Sequence, residues 1–210
     1  EADPNPRFMT ERIVDSDALV MGATAENLHD RYPELTKERA DAYGVASQAK
    51  YAAALEAGHI GPELVPIGVP DPERGWGLAT ADEPPRPGTT VAGVADLPTP
   101  SGYAEAASRW GRVTAATSSP LTDGATAALL VAADVASELG LAARMRLVSY
   151  AFTGVAPELM GIGPVPATRR ALELAGLGIE DIGLIEINEA FAVQVLAFLD
   201  AFGIADDDPR

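Results

Sequence analysis

The chain has 210 residues, 47% of them hydrophobic, a formal charge of −16 and no cysteine. That length supports one large domain or two small ones around a buried core. The acidic balance argues against a nucleic-acid role, because phosphate contacts need clustered Lys and Arg. Without cysteine these residues hold no disulfide, no thiolate metal site and no cysteine nucleophile. No apolar run is long enough to span a bilayer. The opening Glu1-Ala2-Asp3-Pro4-Asn5-Pro6 is unlike a signal peptide. With no initiator methionine and an abrupt close after Ile204, the expectation is a piece of a longer protein, in a cytoplasmic setting.

Thr36 to Ala57 reads as a helix, with Thr36 as N-cap, Glu38 in the first turn and Gly58 past the end. From Gly61 to Pro100 prolines recur, among them Pro62, Pro66, Pro70, Pro72, Pro84, Pro85 and Pro87. Such density predicts an irregular surface excursion without ladders, either a linker or a loop region covering a ligand site. Ala125 to Ala132 is a continuous apolar run, as in a strand buried on both faces. A short helix over Ala133 to Leu139 follows, then a strand over Met145 to Thr153. Next come a helix over Pro166 to Ala175 stopped by Gly176, a strand over Ile182 to Ile187, and a helix over Ala190 to Phe202. This alternation predicts a layered α/β domain.

Catalytic candidates are few. His29 and His59 lie far apart with no paired nucleophile, and each reads as a surface or capping histidine. No His, Asp and Glu set has metal-ligand spacing, and no P-loop or dinucleotide fingerprint is present. Two places stand out. Asn188-Glu189 sits where a strand hands over to a helix, the end of an α/β strand at which ligands bind. A side-chain amide there can orient a water or a developing oxyanion, although capping the helix is the commoner use. Thr117-Ser118-Ser119-Pro120-Leu121-Thr122-Asp123-Gly124 is a polar turn feeding the apolar run, and an ordinary turn explains it equally well.

At these residues a family resemblance emerges. Asn188-Glu189-Ala190-Phe191 resembles the Asn-Glu-Ala-Phe signature of thiolases. Met21-Gly22-Ala23-Thr24-Ala25-Glu26-Asn27, Gly111-Arg112-Val113-Thr114-Ala115 through Ala125, and Met160-Gly161-Ile162-Gly163-Pro164 resemble three further motifs of that family, in the same order. The resemblance implies a partial thiolase-like layered α/β fold with an irregular loop domain. Residues 1–112 would form the loop domain, 113–142 the end of the first core half, and 143–210 the start of the second.

Thiolases make or break a carbon–carbon bond between acyl-CoA units through a cysteine acyl-enzyme. The resemblance implies thiolytic cleavage of 3-ketoacyl-CoA in lipid breakdown, or the reverse condensation, with coenzyme A as a substrate and no cofactor. Both family cysteines and the Gly-His-Pro histidine are absent from this sequence, so these residues alone are expected to be inactive. A non-catalytic CoA-binding relative is the alternative reading, and a split protein is a third.

By position, Asn188 matches the asparagine that holds an oxyanion-hole water. Ala115 and Ser119 match contacts to the pantetheine arm, and Met21, Met160, Ala190 and Phe191 match the tunnel lining. Arg86 matches an arginine near the nucleotide end, a role suited to guanidinium chemistry. Val20, Thr117-Ser118 and the stretch Ser101 to Trp110 depart from the family pattern, which leaves acyl-chain length open. A homo-oligomer, dimer or tetramer, is implied by the resemblance alone.

Overall fold

The computed structural model describes residues 6–11, 13, 14, 20–100 and 111–210. The divergent stretch Ser101 to Trp110 lies outside them. In chain order the helices are α1 (Pro6–Thr10), α2 (Met21–Arg31), α3 (Lys37–Glu56), α4 (Val91–Val94), α5 (Ala133–Glu138), α6 (Pro164–Ala175) and α7 (Ala192–Phe202). Strands β1 (Ile67–Asp71) and β2 (Gly75–Ala79) pair antiparallel.

The helix boundaries follow from local chemistry. Thr36 starts α3 as predicted, its hydroxyl accepting the Arg39 N–H at 3.2 Å. Proline opens α6, and Gly176 closes it in the left-handed conformation at φ 68°, where a side chain would be strained. Helix α7 carries the core. Seven consecutive residues, Ala192 to Phe198, are buried, because α2 and α3 cover one side and α6 and the 157–162 turn another. The main cluster joins Ala25, Leu28, Leu35, Ala40 and Val113 to Ala192, Val193, Leu196 and Ala197. A second cluster packs Val165, Phe198 and Ile204 against Ile185 and Ile187.

Two expectations are corrected. The proline-rich excursion is not free of ladders, since β1 and β2 form a regular ribbon within it. Asp71 makes the turn: its Oδ1 accepts the N–H groups of Glu73 and Arg74, each at 2.9 Å, and Gly75 takes φ 79°. That is a three-residue hairpin loop closed by a left-handed glycine. Pro70, opposite Trp76, is tolerated because both strands of a two-stranded ribbon are edges.

Conversely, the apolar runs expected as strands at 125–132, 145–153 and 182–187 carry no regular secondary structure. Leu129, Leu130, Met145 and Phe152 are 79%, 77%, 93% and 90% exposed. A strand is defined by its hydrogen-bonded neighbour, and no described residue pairs with these segments in a ladder. Of the three, 182–187 is the best held, through Ile185, Ile187 and the Ile185 N–H, which donates to the Arg210 carbonyl at 2.8 Å.

Candidate active site

Residues 182–187 deliver the chain to Asn188. The helix beyond starts at Ala192, its N-cap position is Phe191, and no side chain caps it. Asn188 is exposed, and its amide is unspent among the described residues. Helix capping, the commoner use of an asparagine here, is therefore not its role.

The turn before Ser119 approaches from the other side. Thr117 and Ser118 direct their hydroxyls at the Thr114 carbonyl, at 3.3 and 2.8 Å, so both are consumed in holding the turn. Ser118 then forms an antiparallel bridge with Phe191, and the Ser119 N–H donates to the Ala190 carbonyl at 3.0 Å. These contacts bring Ser119, Ala190 and Phe191 together beside Asn188. The Ser119 side chain itself is exposed. Ala115 lies exposed in the same turn, while Phe191 packs on the main core cluster.

Helix α3 forms the third side. Tyr43 and Ser47, four residues apart and so on one face, donate to Glu189: the phenol to Oε1 at 2.7 Å and the hydroxyl to Oε2 at 2.6 Å. Burial, and then the hydrogen bond to Glu189, push the Tyr43 phenol well above its ordinary pKa, which keeps it protonated as a donor. Between these two residues, Gly44 lets the helix approach the 115–117 turn, since a Cβ there would lie 2.5 Å from the Ala116 carbonyl oxygen. The three elements border one cavity of about 1000 Å³, lined among others by Tyr43, Ser47, Gln48, Ser119, Asn188 and Glu189.

The remaining predicted residues lie elsewhere. Met21 opens α2 and Met160 sits in the 157–162 turn packed along that helix; both are exposed. Neither lines the cavity. Arg86 is also outside it. Its guanidinium donates to the carbonyls of Glu83, Pro84 and Pro85 at 2.6, 2.9 and 3.1 Å, and its N–H donates to Gln48 Oε1 at 2.8 Å.

Sequence reasoning missed two buried groups. His29 is not at the surface. It is buried in α2, and Nδ1–H donates to the Leu35 carbonyl; burial holds its pKa below the ordinary value. Glu26, 1% exposed, accepts the N–H groups of Arg112 and Val113, each at 2.6 Å. It thereby anchors the segment that leads to Thr114 and Ser119. Among the described residues no group of His, Asp and Glu is placed to hold a metal, and no helix is long and apolar enough to cross a membrane.

A polar turn bearing Ser119 and an asparagine-bearing turn, both held by α3, thus border one cavity. Residues 8–134 match the family model "Thiolase, N-terminal domain" and residues 141–208 match "Thiolase, C-terminal domain". The acetyl-CoA acetyltransferase of Pseudomonas aeruginosa is 50% identical over 178 residues, covering 84% of this chain and 43% of that protein. The beta-ketoadipyl-CoA thiolase of Pseudomonas putida is 39% identical over 206 residues, covering 98% and 48%. The crystal structure of Bacillus anthracis acetyl-CoA acetyltransferase superposes with a TM-score of 0.81 at 36% identity, covering 90% of this chain and 46% of that one. The chain belongs to the thiolase family and has its α/β fold. It spans about half the length of these relatives.

Proposed function

We propose that these residues supply the supporting side of a thiolase active site: the oxyanion-hole asparagine, Asn188, and part of the acyl-CoA channel. The observation that carries this reading is the Asn188 amide, exposed at the cavity and not used to cap the helix that follows. Ser119, held by backbone pairing to Ala190, borders the same cavity and suits contact with the polar amides of a pantetheine arm. By the resemblance, Ala115, Ala190 and Phe191 would contact the acyl-CoA beside this cavity, and Met21, Met160 and Arg86, which lie outside it, would belong to parts of the channel beyond it. Residues 1–112 are read as loop domain, with the two core halves dividing at 142–143.

In thiolytic cleavage the bond between the α and β carbons of a 3-ketoacyl-CoA breaks. The acyl group passes to a cysteine sulfur, and the electron pair moves through the α carbon onto the thioester oxygen of the departing enolate. A water oriented by Asn188 donates a hydrogen bond to that oxygen, where charge develops. A second thiol then protonates the α carbon, releasing acetyl-CoA, and free CoA takes the acyl group from the first cysteine. Neither thiol lies among these residues, so the covalent steps belong to residues supplied from outside them. On this reading the substrate is a 3-ketoacyl-CoA thioester, with a cytoplasmic homo-oligomer as the working state.

The test compares thiolysis of a 3-ketoacyl-CoA by this chain and by a full-length thiolase bearing it, alongside CoA binding to each. Turnover confined to the full-length protein supports the reading. CoA binding without turnover in either would replace it with a non-catalytic relative.

A further inference from the structure

Glu189 is the group through which α3 grips the turn carrying Asn188. Both carboxylate oxygens are used, one by Tyr43 at 2.7 Å and one by Ser47 at 2.6 Å. Hydrogen bonds to an ionised acceptor are about twice as strong as neutral ones, and two of them from one helix face fix both position and tilt. The donors flank Gly44, where α3 meets the 115–117 turn at backbone contact distance. That turn is tied in its own right to the far side of the asparagine turn, through the Ser119 N–H to Ala190 bond and the Ser118–Phe191 bridge. One helix face therefore sets the location of Ser119 and Asn188 together.

We infer that Glu189, clamped by Tyr43 and Ser47, is a positioning residue that aims the Asn188 amide. The inference rests on the assignment of Asn188 above. Glu189 makes no contact with reacting atoms in this scheme: its effect passes entirely through the neighbouring asparagine. A stability role alone would be indifferent to whether Asn188 is present, whereas a positioning role requires it.

The experiment is a kinetic double-mutant cycle in a full-length thiolase bearing this chain, using Glu189→Ala, Tyr43→Phe and Asn188→Ala, with thermal midpoints recorded for each. Misplacing a catalytic group by about 1 Å costs on the order of 10²-fold in rate, so E189A is expected to lower kcat about 10- to 100-fold with KM for the 3-ketoacyl-CoA little changed. Y43F lowers kcat in the same sense, and E189Q, which keeps an acceptor oxygen, recovers most of the loss. In the N188A background E189A causes no further fall. An E189A effect that multiplies fully with N188A, or one confined to the thermal midpoint or to KM, overturns the inference. If N188A leaves kcat intact, the asparagine assignment fails. If N188A costs rate and E189A does not, only the positioning role fails.

Discussion

Replacing Glu26 by Ala tests how the active-site turn is anchored. Glu26 Oε1 accepts two backbone N–H groups at 2.6 Å, and Oε2 lies 3.4 Å from Arg112 Nε. Truncation leaves the buried Val113 N–H without an acceptor and the half-buried Arg112 N–H dependent on water. An orphaned buried donor costs about 1–3 kcal/mol, and breaking a buried ion pair costs about 3–5 kcal/mol. Arg112 is partly spared because it also pairs with Asp30, so about 3–4 kcal/mol is expected for E26A. E26Q keeps an acceptor for both N–H groups and loses only charge assistance, so about 1–2 kcal/mol is expected. Urea titration of a full-length protein bearing each variant reads the difference as a shift in midpoint at constant slope. If E26Q were as damaging as E26A, the charge and not the pair of backbone acceptor bonds would hold the segment. An unchanged midpoint in E26A would refute the anchor altogether.

Three further outcomes follow from the same geometry. Gly44→Ala places a Cβ about 2.5 Å from the Ala116 carbonyl oxygen and should cost about 1–3 kcal/mol by overpacking, read by thermal melting. His29 is held neutral by burial, so the folded state binds its proton less readily than the unfolded chain does. Stability is then full above about pH 6.5 and declines as pH falls below it, a slope that His29→Gln should flatten in melts recorded across pH 5 to 8. Arg39 holds Asp200 and Asp206 at 2.6 and 2.5 Å, and its hydrogen bond lowers the Asp206 pKa. That contribution is present above the ordinary carboxylate value of about 4 and lost as pH falls through the depressed one. The stability gap between wild type and Arg39→Ala should therefore close in acid.

Helices with local punctuation were legible in the sequence. Thr36 and Gly176 mark helix ends because caps act within a few residues, whereas α6 opens at Pro164, two residues before the expected Pro166. The hairpin runs against the sequence expectation because proline density outweighs the Asp71-Pro72-Glu73-Arg74-Gly75 turn signal, which specifies a loop closed by a left-handed glycine. The apolar runs do not form the expected strands, because that state depends on ladder partners that local sequence does not report. At the candidate site, Asn188 and Ser119, singled out by motif resemblance, border one cavity. The burial of His29 and the Tyr43–Ser47–Glu189 clamp were not legible in the sequence, because each joins elements whose proximity only the fold creates. Glu189 lies 146 residues from Tyr43. The pairing signal that could have been used was Tyr43 and Ser47 sharing one helix face with a polar turn elsewhere to receive them.

The most direct measurement is the steady-state rate of 3-ketoacyl-CoA thiolysis by a full-length thiolase bearing this chain, wild type against Asn188→Ala. Loss of one oxyanion-hole donor costs on the order of 10²- to 10³-fold in kcat, and here the donor is a water that the amide holds. A kcat reduced on the order of 10²-fold with KM nearly unchanged is the predicted result. An Asn188→Ala enzyme as fast as wild type would contradict the account.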